Sequence, residues 1–179
     1  MKIRIDDIKE KPLVLSAEEE VAGYPVLSRM QEEGECAFLS PVGLQVTATR
    51  EYDLFRVSGS VGVAVRMACS RCLVEFAADL RSAFTIYFSR ESSRGADEDE
   101  VELAEQDLVT ATFSGDEIDL LDEMQEQVVM EIPFKPLCRE ECQGLCSRCG
   151  ADLNQGDCGC ERAVAGLSFS ALQDFKAVK

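Results

Sequence analysis

Nine cysteines and no histidine set the strongest limit on what this chain of 179 residues can become. Six of the nine lie between Cys138 and Cys160, where Cys146-Ser-Arg-Cys149-Gly150 is followed by Cys158-Gly-Cys160. Two thiolates of a CxxC turn can reach one tetrahedral Zn²⁺ at about 2.3 Å, and a glycine after the second lets the backbone turn toward the metal. A further pair, Cys69-Ser-Arg-Cys72, stands far upstream. The eight cysteines other than Cys36 therefore divide into two fours. Cys69, Cys72, Cys138 and Cys142 form one expected site, and Cys146, Cys149, Cys158 and Cys160 the other. The CxC is tighter than a usual second pair, which leaves open that only one of Cys158 and Cys160 ligates. Four thiolates leave no open coordination position, so the one or two zinc ions expected here are structural and not hydrolytic.

The use of cysteine also points to a compartment. No stretch approaches the roughly 18 apolar residues of a membrane span, so the chain is expected in the cytoplasm, with no membrane contact. Thiols stay reduced there, and a cysteine cluster means metal before disulfides. Without histidine, Ser-His-Asp and Cys-His nucleophile arrangements are excluded. No phosphate-binding glycine loop is present, so neither an enzymatic role nor a small-molecule substrate is expected. A thiol oxidoreductase using Cys69 and Cys72 is the enzymatic alternative. A redox CxxC closes a strand and opens a helix, however, whereas the residues after Cys72 alternate as a strand.

Charge narrows the partners. The formal net charge is −16, and from Gly95 to Phe134 there are 14 Asp and Glu with no Lys or Arg. Residues 1–94 carry 12 basic and 14 acidic side chains, and residues 135–179 carry 6 of each. Affinity for a phosphate backbone needs clustered Lys and Arg, so a basic protein is the better partner, with Asp97 to Glu126 as its landing site.

The pattern between the cysteines reads as α+β: an antiparallel β meander or partly closed barrel packed by one amphipathic helix, with a C-terminal zinc-knuckle segment. Val57, Val61, Val63, Val65 and Met67 share one parity, and Val74, Phe76, Ala78, Leu80, Phe84, Ile86 and Phe88 share another, as in half-buried strands. Cys69 and Cys72 fall in the reversal between those runs. Ile3, Ile5 and Ile8 suggest a short edge strand, Ser16 an N-cap before Ala-Glu-Glu-Glu, and Pro25 to Glu33 a short helix ending at Gly34. Cys36 to Leu39 with Leu44 to Thr49 suggests a hairpin around Pro41. Ser114 and Glu117 fit a capping box before Ile118, Leu121, Met124, Val128 and Ile132, which recur at helical spacing until Pro133. The expected organisation is a β-rich core domain over 1–137, with an acidic loop inserted at about 91–113. A cysteine-rich zinc knuckle over 138–162 follows, then a tail over 163–179 with a short helix through Leu172 and Phe175.

This combination resembles the YceD-type large ribosomal RNA subunit accumulation proteins. The residues that carry the resemblance are Cys69-Ser-Arg-Cys72-Leu, the segment Ile118-Asp-Leu-Leu through Val128-Val-Met-Glu-Ile-Pro, Lys135-Pro-Leu-Cys138, and Gly144-Leu-Cys146-Ser-Arg-Cys149-Gly-Ala-Asp-Leu-Asn154. The resemblance implies a role in the synthesis, processing or accumulation of large-subunit ribosomal RNA without catalysis. The partner then expected is a basic ribosomal protein or a pre-ribosomal particle. Direct ribosomal RNA contact through Arg139, Arg148 and Arg162 is the alternative. Zinc knuckles usually stack bases on aromatic rings, and none lies between Phe134 and Phe169.

Overall fold

Residues 1–91 and 110–160 are described by the computed structural model. The two long alternating runs become β5 (Leu54–Ala68) and β6 (Glu75–Arg90), antiparallel in unbroken register from Leu54 opposite Ser89 to Ala68 opposite Glu75. On the other side of β5 lies β4 (Val42–Glu51), antiparallel, and outside β4 lies β2 (Leu13–Glu19), also antiparallel. The outer neighbour of β6 is β7 (Thr110–Phe113), which runs parallel to it. The sheet is therefore mixed and curls into a half-barrel, and the expected wholly antiparallel arrangement is corrected at this edge. β1 (Lys2–Arg4) and β8 (Glu117–Asp119) make a separate two-stranded sheet.

One face of the curl is the core. Val57, Val61, Val63, Val65 and Met67 from β5 meet Leu80, Phe84 and Phe88 from β6 and Val42, Leu44, Val46 and Ala48 from β4, all buried. α2 (Leu121–Glu131) lays Met124 and Val128 into this face, as its spacing predicts. α1 (Pro25–Glu32) inserts Leu27 and is joined to α2 where the Val26 N–H donates to Gln125 Oε1 at 3.2 Å. Gly34 ends α1 at φ 76°, as expected.

Four local expectations are overturned. Ser16 caps no helix: it lies mid-strand in β2, where Leu13, Leu15 and Ala17 turn inward and Val14, Ser16 and Glu18 outward. The period-two pattern there outweighs the local attraction of carboxylates for a helix start. Ser114 and Glu117 form no capping box, because Glu117–Asp119 pairs with β1 and buries Ile118 opposite Ile3. The helix starts after Leu120 instead. β3 (Ala37–Phe38) pairs with β5 and not with β4, so Pro41 is not the tip of a hairpin. The acidic loop expected at about 91–113 stops short, since Thr110–Phe113 is strand. The acidic run from Asp97 to Asp107, the tail helix and Arg162 lie outside the described residues.

Candidate metal centres

The β5–β6 reversal is closed by main-chain bonds as a knuckle: Leu73 N–H donates to Cys69 O at 2.9 Å, and Cys69 N–H to Val74 O at 2.9 Å. This turns the thiols of Cys69 and Cys72 to the same side. The segment after α2 reaches them there. Ser70 N–H donates to Pro136 O at 2.8 Å, and Leu145 N–H to Arg71 O at 3.1 Å. The Arg71 guanidinium donates to the carbonyls of Cys142 at 2.7 Å and Glu140 at 3.3 Å. Cys138 and Cys142 are thereby carried onto the knuckle, 66 residues or more away in sequence from their partners. Sγ of Cys69 lies 3.7 Å from that of Cys142, and Sγ of Cys72 3.7 Å from that of Cys138. Cys69, Cys72 and Cys142 are buried, with Leu137, Leu145 and Phe76 packed around them.

The second knuckle repeats the first. Gly150 N–H donates to Cys146 O, and Cys146 N–H to Ala151 O, both at 2.8 Å. The sequence between the cysteines is Ser-Arg in both knuckles. Cys158 and Cys160 complete the group, and Cys149 is exposed while the other three are half-buried. Within each group of four, all sulfur atoms lie within 4.8 Å of one another. Both members of the CxC are in reach, so the tight spacing excludes neither.

Both groups fit a metal ion, the first on two counts and the second on the electrostatic one. The edge of a tetrahedron of thiolates bonded at about 2.3 Å is about 3.8 Å, close to the observed 3.7 Å contacts. The sulfurs are also electrostatically divided. Backbone N–H groups of Cys138, Cys72 and Arg71 pull the Cys69 thiol down to about 6, and those of Cys149 and Arg148 do the same for Cys146. Burial and the neighbouring thiol of Cys72 push Cys138 up to about 12, and contact with Cys149 and Cys158 pushes Cys160 up to about 12. Four thiolates this close cannot all ionise without a cation among them. Cys36, the ninth, sits in the main core, where burial raises its thiol.

The two centres are linked by a residue that the cysteine pattern does not single out. Asn154 Oδ1 accepts from Gln143 N–H at 2.8 Å and from Arg139 at 2.9 Å, while its amide donates to Cys142 Sγ at 3.6 Å. Asp152, its carboxyl held below the ordinary range by the Asn154 N–H and side chain, orients that amide at 2.7 Å. In the sequence Asn154 stands out only as the last residue of the motif, Gly144 to Asn154, that carries the family resemblance.

The sequence matches the family described as Large ribosomal RNA subunit accumulation protein YceD over residues 57–176, a span that contains both groups of cysteines. The chain is 24% identical over 157 residues to the chloroplastic Large ribosomal RNA subunit accumulation protein YCED homolog 1 of Arabidopsis thaliana, covering 76% of this chain and 49% of that protein. The homologue from Zea mays is 25% identical over 152 residues, 72% of this chain and 52% of its own. An uncharacterized protein of Mycobacterium tuberculosis is 33% identical over 97 residues, 54% of this chain and 44% of its own. The chain thus spans about half the length of the curated relatives it matches. No solved structure matches it.

Proposed function

The chain belongs to the YceD family of large ribosomal RNA subunit accumulation proteins, and from that premise we propose that it is a non-enzymatic factor for the accumulation of large-subunit ribosomal RNA. The observation that carries the reading is the family match itself, which runs through both cysteine groups. In this reading each group holds one Zn²⁺: Cys69, Cys72, Cys138 and Cys142 the first, Cys146, Cys149, Cys158 and Cys160 the second. Zinc suits an all-thiolate tetrahedral set better than calcium or magnesium, which take oxygen ligands. The ion supplies a cross-link and a fixed charge, and the protein residues do the rest. Arg71 and the Leu145 N–H clamp the C-terminal segment to the hairpin tip, so the bound metal stabilises one continuous platform.

The platform acts on a protein. The described carboxylates of the acidic stretch include Glu117, Asp119, Asp122 and Glu126, all exposed, and they favour a basic ribosomal protein over a phosphate backbone. Electrostatic attraction of this kind speeds encounter more than it tightens the complex, so added salt lowers the association rate first. Direct RNA binding through Arg139, Arg148 and Arg162 finds less support: Arg148 is exposed, but Arg139 is engaged by Asn154 and no aromatic residue lies between Phe134 and Phe169 to stack a base. The test is recovery of the tagged protein from its own cells at moderate salt, with and without RNase. Retention of a basic large-subunit ribosomal protein after RNase supports the proposal. Loss of everything with the RNA overturns it in favour of RNA contact.

A further inference from the structure

A long edge of the main sheet has no strand beside it. β6 is paired with β5 from Glu75 to Ser89, but on its other side β7 reaches only Tyr87 to Arg90. From Glu75 to Ile86 no strand among the described residues joins that side. Open edges are ordinarily blunted by a proline, a bulge or a charge turned toward the core face. This one has none of these devices. The register with β5 is unbroken, the run from Glu75 to Ile86 holds no proline, glycine or lysine, and its core face carries only uncharged residues. Phe76, Ala78 and Ile86 stay partly exposed although they lie on that face. On the other face, Asp79 and Arg81 are exposed. Their neighbours on β5 are Ala64 and Gly62, which offer them no charge, and among the described residues neither makes a salt bridge.

We propose that this edge pairs with the same edge of a second copy of the chain, antiparallel and centred on Leu80, so that two sheets become one across a two-fold axis. Residues directly opposite in an antiparallel pair lie on the same face. Asp79 then stands against Arg81 of the second copy, and Arg81 against its Asp79. Ala77 meets Ala83, Phe76 meets Phe84, and Leu80 meets its own counterpart at the axis. Opposite charges across a strand pair stabilise it, and like charges directly opposite destabilise it. The charges therefore select both the occupant and the register. A centre on Asp79 sets two carboxylates against each other, and a centre on Arg81 two guanidinium groups. A centre on Ala78 gives Arg81 a carboxylate in Glu75 but leaves the edge beyond Arg81 unpaired. Because the strands run antiparallel, the two hairpin tips point to opposite ends, and the metal centres of the two copies do not meet. The inference is independent of the partner proposed above.

The test is the mass of the full chain in solution, read by light scattering over a range of concentrations. Asp79→Arg, Arg81→Asp, an equal mixture of the two, and one chain carrying both substitutions are compared with the unaltered chain. Glu18→Arg, on the edge strand β2, is the control, and all three positions are exposed. The unaltered chain is expected to approach twice 19.7 kDa as concentration rises. Each single variant sets like charges opposite at two places and should dimerise at least about tenfold more weakly. The mixture and the double variant restore both opposite-charge pairs and should recover the dimer, while Glu18→Arg should behave like the unaltered chain. A mass of one chain at every concentration overturns the proposal. So does a dimer kept by both single variants, or one that neither the mixture nor the double variant recovers. Loss of the dimer in Glu18→Arg moves the contact to β2 and overturns it as well.

Discussion

The side-chain amide of Asn154, at the end of the second knuckle, donates to Sγ of Cys142 in the first group at 3.6 Å. The two centres are therefore joined by more than chain connectivity. A hydrogen bond to a ligating sulfur fixes its orientation, and loss of such an outer partner typically lowers metal affinity about 10- to 100-fold. Asn154→Ala should weaken zinc binding by that factor at the first centre and leave the second unchanged, read by competition with a chromogenic chelator. Equal weakening at both centres would contradict the assignment.

Metal release should occur in two phases. Cys149 is exposed, whereas Cys69 and Cys142 are almost fully covered, so a chelator reaches the second centre first. Cys146→Ser with Cys149→Ser should remove the fast phase and reduce the content from two ions to one. A single phase in the unaltered chain speaks against independent access.

Gly144 lies directly against the backbone of Arg71 at the hairpin tip. Its φ is 74°, and a Cβ there would stand 2.9 Å from Arg71 O and 3.1 Å from Arg71 Cβ. Gly144→Ala combines a strained backbone with a clash against main chain, and should destabilise this junction by about 1–3 kcal/mol. Thermal unfolding monitored with zinc release should show it. An unchanged melting temperature would mean that the junction yields.

The sequence was readable wherever one physical signal dominated. The parity of Val57 to Met67 and of Leu80 to Phe88 was unopposed, and β5 and β6 follow it. The grouping of Cys69 and Cys72 with Cys138 and Cys142 followed from counting pairs. Where signals competed, the longer-range one won. Ser114-Gly-Asp-Glu117 has good capping chemistry, but Ile118 gains a buried place opposite Ile3 by pairing as a strand. Ser16 looked like a cap because three glutamates follow it, yet the partner strand β4 decides its conformation. The parallel entry of β7 depends on a connection through residues 92–109, and no local pattern encodes it. Asn154 was hidden for a similar reason, since its partners are assembled only once the two knuckles meet.

Acid should loosen the N-terminal region. Burial alone would raise the Glu19 carboxyl, but the Tyr24 hydroxyl and the terminal amine, which lies 3.0 Å away, outweigh it and hold the group below its ordinary value. A depressed folded-state value means that this stabilisation is complete above the unfolded value near 4.5 and is lost as pH falls through the lower folded one. Tyr24→Phe should reduce the pH dependence of stability in that acid window and leave it unchanged near neutrality. Melting temperatures from neutral pH down to about pH 3 test this, and parallel profiles for the two chains would contradict it.

The most direct measurement is the ratio of large- to small-subunit ribosomal RNA in cells that lack this chain, with the unaltered gene or a Cys69→Ser, Cys72→Ser variant returned to them. A selective fall in large-subunit RNA is expected, which the unaltered chain restores and the variant does not. An unchanged ratio, or an equal loss of both RNAs, would contradict it.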